Sequence, residues 1–525
     1  MQRTRVTWCC QWWGGRVRVS LPMHATCCSI SFRTIVGGLA LATLAACATR
    51  NSITAPGGES TGDTAPPAIQ REMRGVWIAT VANIDWPSRT GLSPAAQQAE
   101  LIDLLDRARA AGLNTVMFHV RPASDAVYSS TIEPWASMLT GFQGGNPGYD
   151  PLAFAVTEAH VRGLELHAWI NPFRAGNTKD SANLSPLHVF NAQRGLVRLY
   201  GAQLWLDPGE PATHDHVMRV ISDIVRRYDL DGVHADDYFY PYQEHDTLGK
   251  VIDFPDSASY ARSGSTLSRG DWRRQNIDRF VERMYREVHV LRPTIKVGIS
   301  PFGIWRPGFP ASVNGLDAFA TIYADSRKWL QQGWVDYLAP QLYWAIGAPQ
   351  QGYAALLDWW ISENTKGRHV WPGLAAYRVG DGTTSAFSLA EIPNQVAMTR
   401  ARVAGTGNIF YNANSTLKKS NGAVAGSLAS LYPTPALVPA SPWLDSMPPL
   451  LPTVTVSGRS LQITPAAGTA TRWWVLRTRA NSGWTTRLLF GDVRATTIEA
   501  GVNRVLVNAV SHTGSISGVS EWKTP

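Results

Sequence analysis

From about residue 74 to residue 432, short apolar runs alternate with longer stretches whose apolar residues recur every three or four positions, and nothing else in the chain limits the fold as tightly. Such alternation is the pattern of βαβ units around a parallel sheet. Eight strands are predicted, at 75–81, 115–121, 165–171, 232–237, 296–302, 337–344, 373–378 and 408–412. Helix-period segments lie between them, among them 95–111, 212–228, 272–291 and 389–403. An open doubly wound sheet would need a crossover reversal and usually a glycine-rich phosphate loop, and no G-x-G-x-x-G opens the first helix. The expected architecture is therefore α/β, a (β/α)8 TIM-type barrel over residues 71–432.

Beyond residue 452 the pattern changes. Alternating segments at 453–456, 460–463, 472–477, 496–498 and 504–509, separated by Gly, Asn and Ser, predict a β-sandwich over 453–525. A Pro-rich linker, 433–452, joins it to the barrel. In pattern and length the sandwich resembles a fibronectin type III-like module. Its role stays open between a spacer, a glycan-contacting module and a structural cap.

At the other end, residues 1–46 hold five arginines and no acidic residue, and they close in an apolar run, 34–46, followed by Cys47. This predicts a signal peptide, for which Met23 would be a start of more usual length. The run is shorter than the roughly 20 apolar residues that a permanent span requires. Leu44-Ala45-Ala46-Cys47 resembles the lipobox of bacterial lipoproteins, which implies lipidation of Cys47 and membrane anchoring through that lipid. Residues 47–70, rich in Ser, Thr, Gly and Pro, read as a flexible tether. The expected location is the bacterial cell envelope, and Ala48 after the cysteine favours the periplasmic face of the outer membrane. Cys9, Cys10, Cys27 and Cys28 fall in the leader, so no disulfide is expected within the mature chain. Without residues 1–46 the formal charge drops from +8 to +3, and nucleic acid is not an expected partner.

In a β/α barrel, active sites form at the C-terminal ends of the strands. Here the first strand carries Trp77 and the second ends in His119 and Arg121. The third ends in His167, Trp169 and Asn171, and the fourth reads His234-Ala235-Asp236-Asp237-Tyr238-Phe239-Tyr240. The fifth runs on to Trp305, the sixth ends Gln341-Leu342-Tyr343-Trp344, and the seventh supplies Tyr377. Side chains alternate along a strand, so His119 shares a face with Arg121, His167 with Trp169 and Asn171, and His234 with Asp236. Aromatic faces ringed by hydrogen-bonding groups are what sugars need, although aromatics at strand ends can also plug a barrel. Asp236 and Asp237 are the candidate catalytic pair: glycoside hydrolysis needs a proton donor and a group that stabilises the cationic transition state. Neighbours on a regular strand face opposite ways, so both can serve only if the strand breaks at Asp237. Otherwise Asp237 caps the next loop. No carboxylate ends strands five to eight. The second group is then Asp207, Glu210 or Asp125, or the substrate's own N-acetyl group, oriented by Asp236 with Asp237 as acid.

Arg74-Gly75-Val76-Trp77-Ile78-Ala79-Thr80, Asn83-Ile84-Asp85-Trp86-Pro87, Phe118-His119-Val120-Arg121-Pro122, Trp169-Ile170-Asn171-Pro172, the run from Asp231 to Pro241, and Pro340-Gln341-Leu342-Tyr343-Trp344 resemble the motifs of the glycosyl-hydrolase-like family 10 domain. The resemblance covers about 72–431 in order. It implies an envelope lipoprotein with a barrel and a hydrolase of peptide-free peptidoglycan strands, alternating N-acetylglucosamine and N-acetylmuramic acid. No cofactor or metal is implied. The fourth strand also resembles the Asp-Gly-x-Asp-x-Asp-x-Glu-Tyr-Pro run of family 18 chitinases, with Asp231 and Asp236 at two of its aspartates. There His234 replaces the middle aspartate and Tyr238 the glutamate, so the chitinase acid does not carry over.

Two other classes compete with a carboxylate hydrolase. His119, His167 and His234 raise a metal-dependent glycan deacetylase, against which stands the absence of His-x-His on the first strand. The missing second carboxylate raises a glycan-binding lipoprotein without catalysis.

Overall fold

A computed structural model describes residues 65–402 and 406–524. The expected signal peptide, Cys47 and most of the tether lie outside the described residues.

The central sheet holds nine parallel strands: β1 (Met73–Ile78), β2 (Thr115–Arg121), β3 (Glu165–Ile170), β4 (Gly232–Ala235), β5 (Lys296–Ile299), β6 (Tyr337–Leu338), β7 (His369–Val370), β8 (Gly373–Leu374) and β9 (Gly407–Phe410). Their spatial order is β7-β6-β5-β4-β3-β2-β1-β9-β8. The two end strands are successive pieces of one segment parted by Trp371-Pro372. On one side Trp371 N donates to Leu338 O (2.9 Å) and Gly373 N to Pro340 O (2.9 Å), and on the other Tyr411 N donates to Leu374 O (2.9 Å). The sheet thus curls until its two ends meet in a single stretch of chain. The seventh predicted strand starts four residues early, at His369, because Pro372 has no N–H and splits it.

Strand alternation sorts the apolar residues into two separate cores. Val76, Ile78, Val116, Phe118, Leu166, Ala168, Val233, Val297 and Leu338 face outward and pack against the helices. Met73, Trp77, Met117, Trp169, Tyr337, Ala339, Trp371 and Ile409 form the interior of the curled sheet. Two glycines make that interior possible. A Cβ on Gly298 would lie 2.0 Å from the Tyr337 ring, and one on Gly232 would lie 2.5 Å from the His167 ring.

The surrounding helices begin at residues suited to the task. Ser93 caps Pro94–Ala110 by accepting Ala96 N, Asp150 caps Pro151–Val161, and Ser268 caps Arg269–Leu291. The connection after β3 contains a small antiparallel sheet, Arg174–Asn177, Val197–Tyr200 and Gln203–Leu206, that the alternation pattern did not reveal.

The C-terminal region holds two antiparallel sheets. One contains Thr453–Ser457, Ser460–Thr464 and Ala495–Thr497, the other Gly483–Phe490, Trp473–Ala480, Arg504–Val510 and Ser520–Lys523. Leu461 and Ile463 from the first share a buried core with Trp474, Leu476, Val505 and Val507 from the second.

Candidate active site

β4 stops at Ala235, so Asp236 and Asp237 lie beyond the regular strand. The alternation that would have turned them apart is lifted there. Asp236 Oδ1 accepts the backbone N–H of Asp237 at 2.8 Å, a local turn that keeps the two carboxyls neighbours. Gln341, beyond β6, donates from Nε2 to the same oxygen at 3.3 Å and to the Ser300 carbonyl at 3.0 Å, which fixes its amide orientation. Tyr242 donates its hydroxyl to Asp237 Oδ2. Burial, reinforced by the adjacent Asp237 carboxylate, holds the Asp236 carboxyl well above the ordinary carboxylate range. The pair is thus built to hold a proton on Asp236, with Asp237 accepting the Tyr242 hydroxyl beside it.

Three tyrosines line one side of this pair. Tyr343 stacks beside Tyr411 with centroids 6.0 Å apart, and Tyr377 meets both edge-on at 6.0 Å. All three are half-buried. Trp77 forms the floor below them, 6.1 Å from Tyr411. Gly373 is what lets Trp77 and Tyr343 converge: a Cβ there would lie 3.0 Å from the indole and 3.3 Å from the Tyr343 ring.

The floor is held by an ordered hydrogen-bond chain. Trp77 Nε1 faces His234 Nε2 at 3.0 Å, and an indole N–H can only donate, so that imidazole nitrogen accepts. His234 Nδ1–H then donates to the Tyr337 hydroxyl (3.0 Å), which donates to His167 Nδ1 (2.8 Å). His167 Nε2–H ends the chain on Glu165 (3.3 Å), itself paired with Lys296 (3.1 Å). Burial lowers the His234 pKa, in agreement with its neutral state.

Opposite the tyrosines, His119 and Trp169 stack with centroids 3.8 Å apart. Both His119 nitrogens, Trp169 Nε1 and Asn171 Oδ1 are buried and have no partner among the described residues. Buried polar atoms without partners are rare and mark places built to receive something polar. Burial keeps His119 neutral, so it can accept as well as donate. Completing the rim, the Arg174 guanidinium lies 3.9 Å over the ring of half-buried Tyr238.

A family model described as "Glycosyl hydrolase-like 10" matches residues 72–387, the stretch that contains every site residue named above except Tyr411. The chain belongs to the glycosyl hydrolase-like 10 family. It is 41% identical over 396 residues to the glycosyl hydrolase YngK of Bacillus subtilis (strain 168), which covers 73% of this chain and 76% of that protein. It is 36% identical over 343 residues to the glycosyl hydrolase DigH of Escherichia coli (strain K12), covering 60% of this chain and 76% of that protein. Among solved structures, the PgaB (BpsB) glycoside hydrolase domain from Bordetella bronchiseptica aligns with a TM-score of 0.45 and 14% identity, over 69% of this chain and 98% of that domain. Family membership makes the chain a glycoside hydrolase.

Within this glycosyl hydrolase-like 10 fold, Asp236, Asp237, Trp77, His119, Trp169, Asn171, Tyr238, Gln341, Tyr343 and Tyr377 gather at one end of the sheet. Six expected sugar contacts do not join them. Arg121 is sealed in an ion pair with Glu133 (2.5 Å) and donates to the carbonyls of Asn171 (2.6 Å) and Pro172 (3.0 Å). His167 and His234 have their nitrogens engaged in the interior chain. Tyr240 turns away between Phe254 and Tyr323. Trp305 donates to Asp325 (3.0 Å) and stacks on Trp359 among the helices, because regular strand ends at Ile299. Trp344, half-buried, packs edge-on against Phe302.

The carboxylates offered as partners are also occupied. Asp207 binds Ser259, Arg198 and Gly209 N; Glu210 binds Arg198 and Arg262; Asp125 holds its own loop through Ala123 N. Asp231, the chitinase-like aspartate, lies at the start of β4, bound to Arg472 and His160. Among the described residues no three His, Cys, Asp or Glu side chains are grouped to hold a metal ion.

Sequence reasoning missed Arg174, Tyr242 and Tyr411. Alternation from Ile409 puts Tyr411 on the inner face and was signal enough. Arg174 sits on the unpredicted antiparallel sheet and Tyr242 beyond a break in regular structure, so neither had a periodic signal.

Proposed function

We propose that the protein cleaves N-acetylated glycan strands, peptide-free peptidoglycan in particular, by acid/base catalysis at Asp236 and Asp237. The observation that carries this reading is the adjacent buried pair at the end of β4, with the Asp236 carboxyl held well above the ordinary carboxylate range and Asp237 accepting a hydroxyl donor. Asp236 donates the proton to the glycosidic oxygen as the bond breaks, the reverse of the role division expected from sequence. Asp237 stabilises the positive charge that develops at the anomeric carbon. With Asp125, Asp207 and Glu210 engaged elsewhere, the substrate's own acetamido oxygen is the favoured nucleophile: it closes on the anomeric carbon as the glycosidic bond breaks, and water then opens that ring and returns a proton to Asp236. The tyrosine wall and Trp77 offer ring faces to the pyranoses, and His119, Trp169 and Asn171 offer buried hydrogen-bonding atoms to their substituents.

With β7 and β8 counted as one strand interrupted by Pro372, the domain reads as an eight-stranded (β/α)8 barrel. The C-terminal sheets read as its fibronectin type III-like companion. Residues 34–47 support an envelope lipoprotein anchored through Cys47 at the periplasmic face of the outer membrane. Radiolabelled palmitate incorporated by the native protein and not by Cys47→Ser tests the anchor.

The catalytic reading is tested by incubating the protein with peptide-free glycan strands and following shortened sugars by mass spectrometry. Asp236→Asn and Asp237→Asn should each lower the rate by about a hundredfold to ten-thousandfold with melting curves near the native one. Full activity in both variants, or binding with no new reducing ends from the native enzyme, would sink it.

A further inference from the structure

Arg174 is a cation at the site rim, half-buried beside the acidic pair. Its main chain is fixed from the protein interior. Ser124 Oγ donates to the Arg174 carbonyl (3.0 Å) and accepts from Arg121 Nη2 (3.2 Å), while Arg121 also holds the carbonyls of Asn171 and Pro172 just upstream. That arginine is anchored on Glu133, which accepts a further bond from His216 (2.8 Å). The Arg174 guanidinium carbon lies 3.9 Å from the ring centroid of Tyr238, two residues beyond Asp236. A cation–π contact of this kind engages the face of the ring and uses none of the guanidinium's forked N–H donors in a hydrogen bond. Yet no described carboxylate, carbonyl or hydroxyl accepts from it, although its charge reaches both Asp236 and His119. A neutral sugar would not call for a preorganised cation here. A carboxylate would, since the fork matches two carboxylate oxygens.

Resting on the reading above, we infer that Arg174 recognises a free carboxylate carried on the hexosamine ring, and so selects acidic glycan strands whose carboxyls are unsubstituted. In peptidoglycan the lactyl carboxylate is free only where the peptide has been removed. Amide linkage to a peptide abolishes the charge and one of the two acceptor oxygens. Arg174 thereby gives a physical reason for discrimination between stripped and peptide-bearing strands.

The test uses two sets of oligosaccharides of equal length, alternating N-acetylglucosamine and N-acetylmuramic acid, one with free carboxyls and one with each carboxyl converted to its methylamide. The native enzyme should show a KM about tenfold or more lower on the free acid, as expected for a charge-assisted hydrogen bond. Arg174→Gln should raise KM on the acid by that factor and bring the acid-to-amide KM ratio close to one, and Arg174→Lys should recover part of that preference. Equal loss on both substrates, or a native enzyme indifferent to amidation, overturns the inference. The native acid-to-amide comparison decides the matter even if a variant fails to fold. If the native enzyme cleaves neither set, the hydrolase reading fails on its own. Calorimetric binding to Asp236→Asn then still decides on Arg174: tighter binding of the acid upholds it, and equal or no binding overturns it.

Discussion

Asp236 and Asp237 differ in one covalent position and in almost everything around them. Asp236 accepts from a backbone amide and from Gln341 in a desolvated position, whereas Asp237 takes the Tyr242 hydroxyl. The proton that hydrolysis requires is therefore stored on one defined carboxyl, whose raised pKa keeps it there as the pH climbs. Activity should fall on the alkaline side as Asp236 gives up that proton. Tyr242→Phe removes the hydroxyl that Asp237 accepts and should lower kcat about tenfold with the melting curve near the native one. An unchanged kcat would show that the hydroxyl only packs. Asp85 makes a contrasting case outside the reaction. Its carboxylate accepts Ala79 N at the end of β1 and Asn414 N at the start of the Ala413–Leu417 helix, both at 2.7 Å. Burial nevertheless raises its pKa from 3.8 to about 7. The folded state then holds a proton that the unfolded chain has lost, so through this group stability is greatest at low pH and declines as pH rises from about 3.8 to about 7. Denaturant melts of the native protein and Asp85→Asn across that window should show the difference drifting against the native protein and levelling off above it.

At the scale of elements, the interior of the curled sheet is filled by side chains that reach across missing ones. Gly298 on β5 and Gly232 on β4 make room for Tyr337 and His167, and the hydrogen-bond chain from Trp77 to Glu165 runs through that space. Gly298→Ala should therefore destabilise the fold by about 1–3 kcal/mol, read from the shift in denaturant midpoint. Because Tyr337 supports His234 and hence Trp77, the substrate floor should loosen as well, with KM rising more than kcat falls. A neutral Gly298→Ala would mean that the ring can step aside. These glycines look like weak points in a strand when read locally, and only the ring that enters from another strand explains them.

Over the whole molecule, chemistry and support occupy opposite ends of the strands. Asp236 follows the end of β4, and Asp231 precedes its start, where it meets Arg472 from the C-terminal region (2.6 Å), a pair nearly excluded from solvent. Burial alone would raise the Asp231 pKa, but the Arg472 guanidinium and the His160 imidazole beside it hold the carboxyl well below the usual carboxylate range. This contribution is present above the unfolded carboxyl pKa and is lost as pH falls through the depressed one. Arg472→Ala leaves the buried Asp231 without its arginine and should cost about 3–5 kcal/mol. Below its lowered melting temperature the variant should keep the native kcat, because the substitution lies at the far end of the sheet. A collapse of kcat at unchanged stability would instead tie the C-terminal sheets directly to catalysis.

Much of this was legible in the chain itself. Apolar period determines which face of a strand or helix is buried, and it is a local property, so the α/β class, the helices near 94–110 and 211–227, and the acidic pair after the fourth strand could all be read directly. Depth along the axis of the curled sheet is not local. Arg121, His167 and His234 share the inward parity of Trp169 and Asn171, yet the places where β4 and β5 stop, and the partners offered by Glu133, Tyr337 and Trp77, draw these three into structural bonds. Arg174 reached the rim only through a hairpin sheet inserted after β3. Sequence period specified which side chains point inward, whereas contacts between residues distant in the chain decided which of them face a substrate.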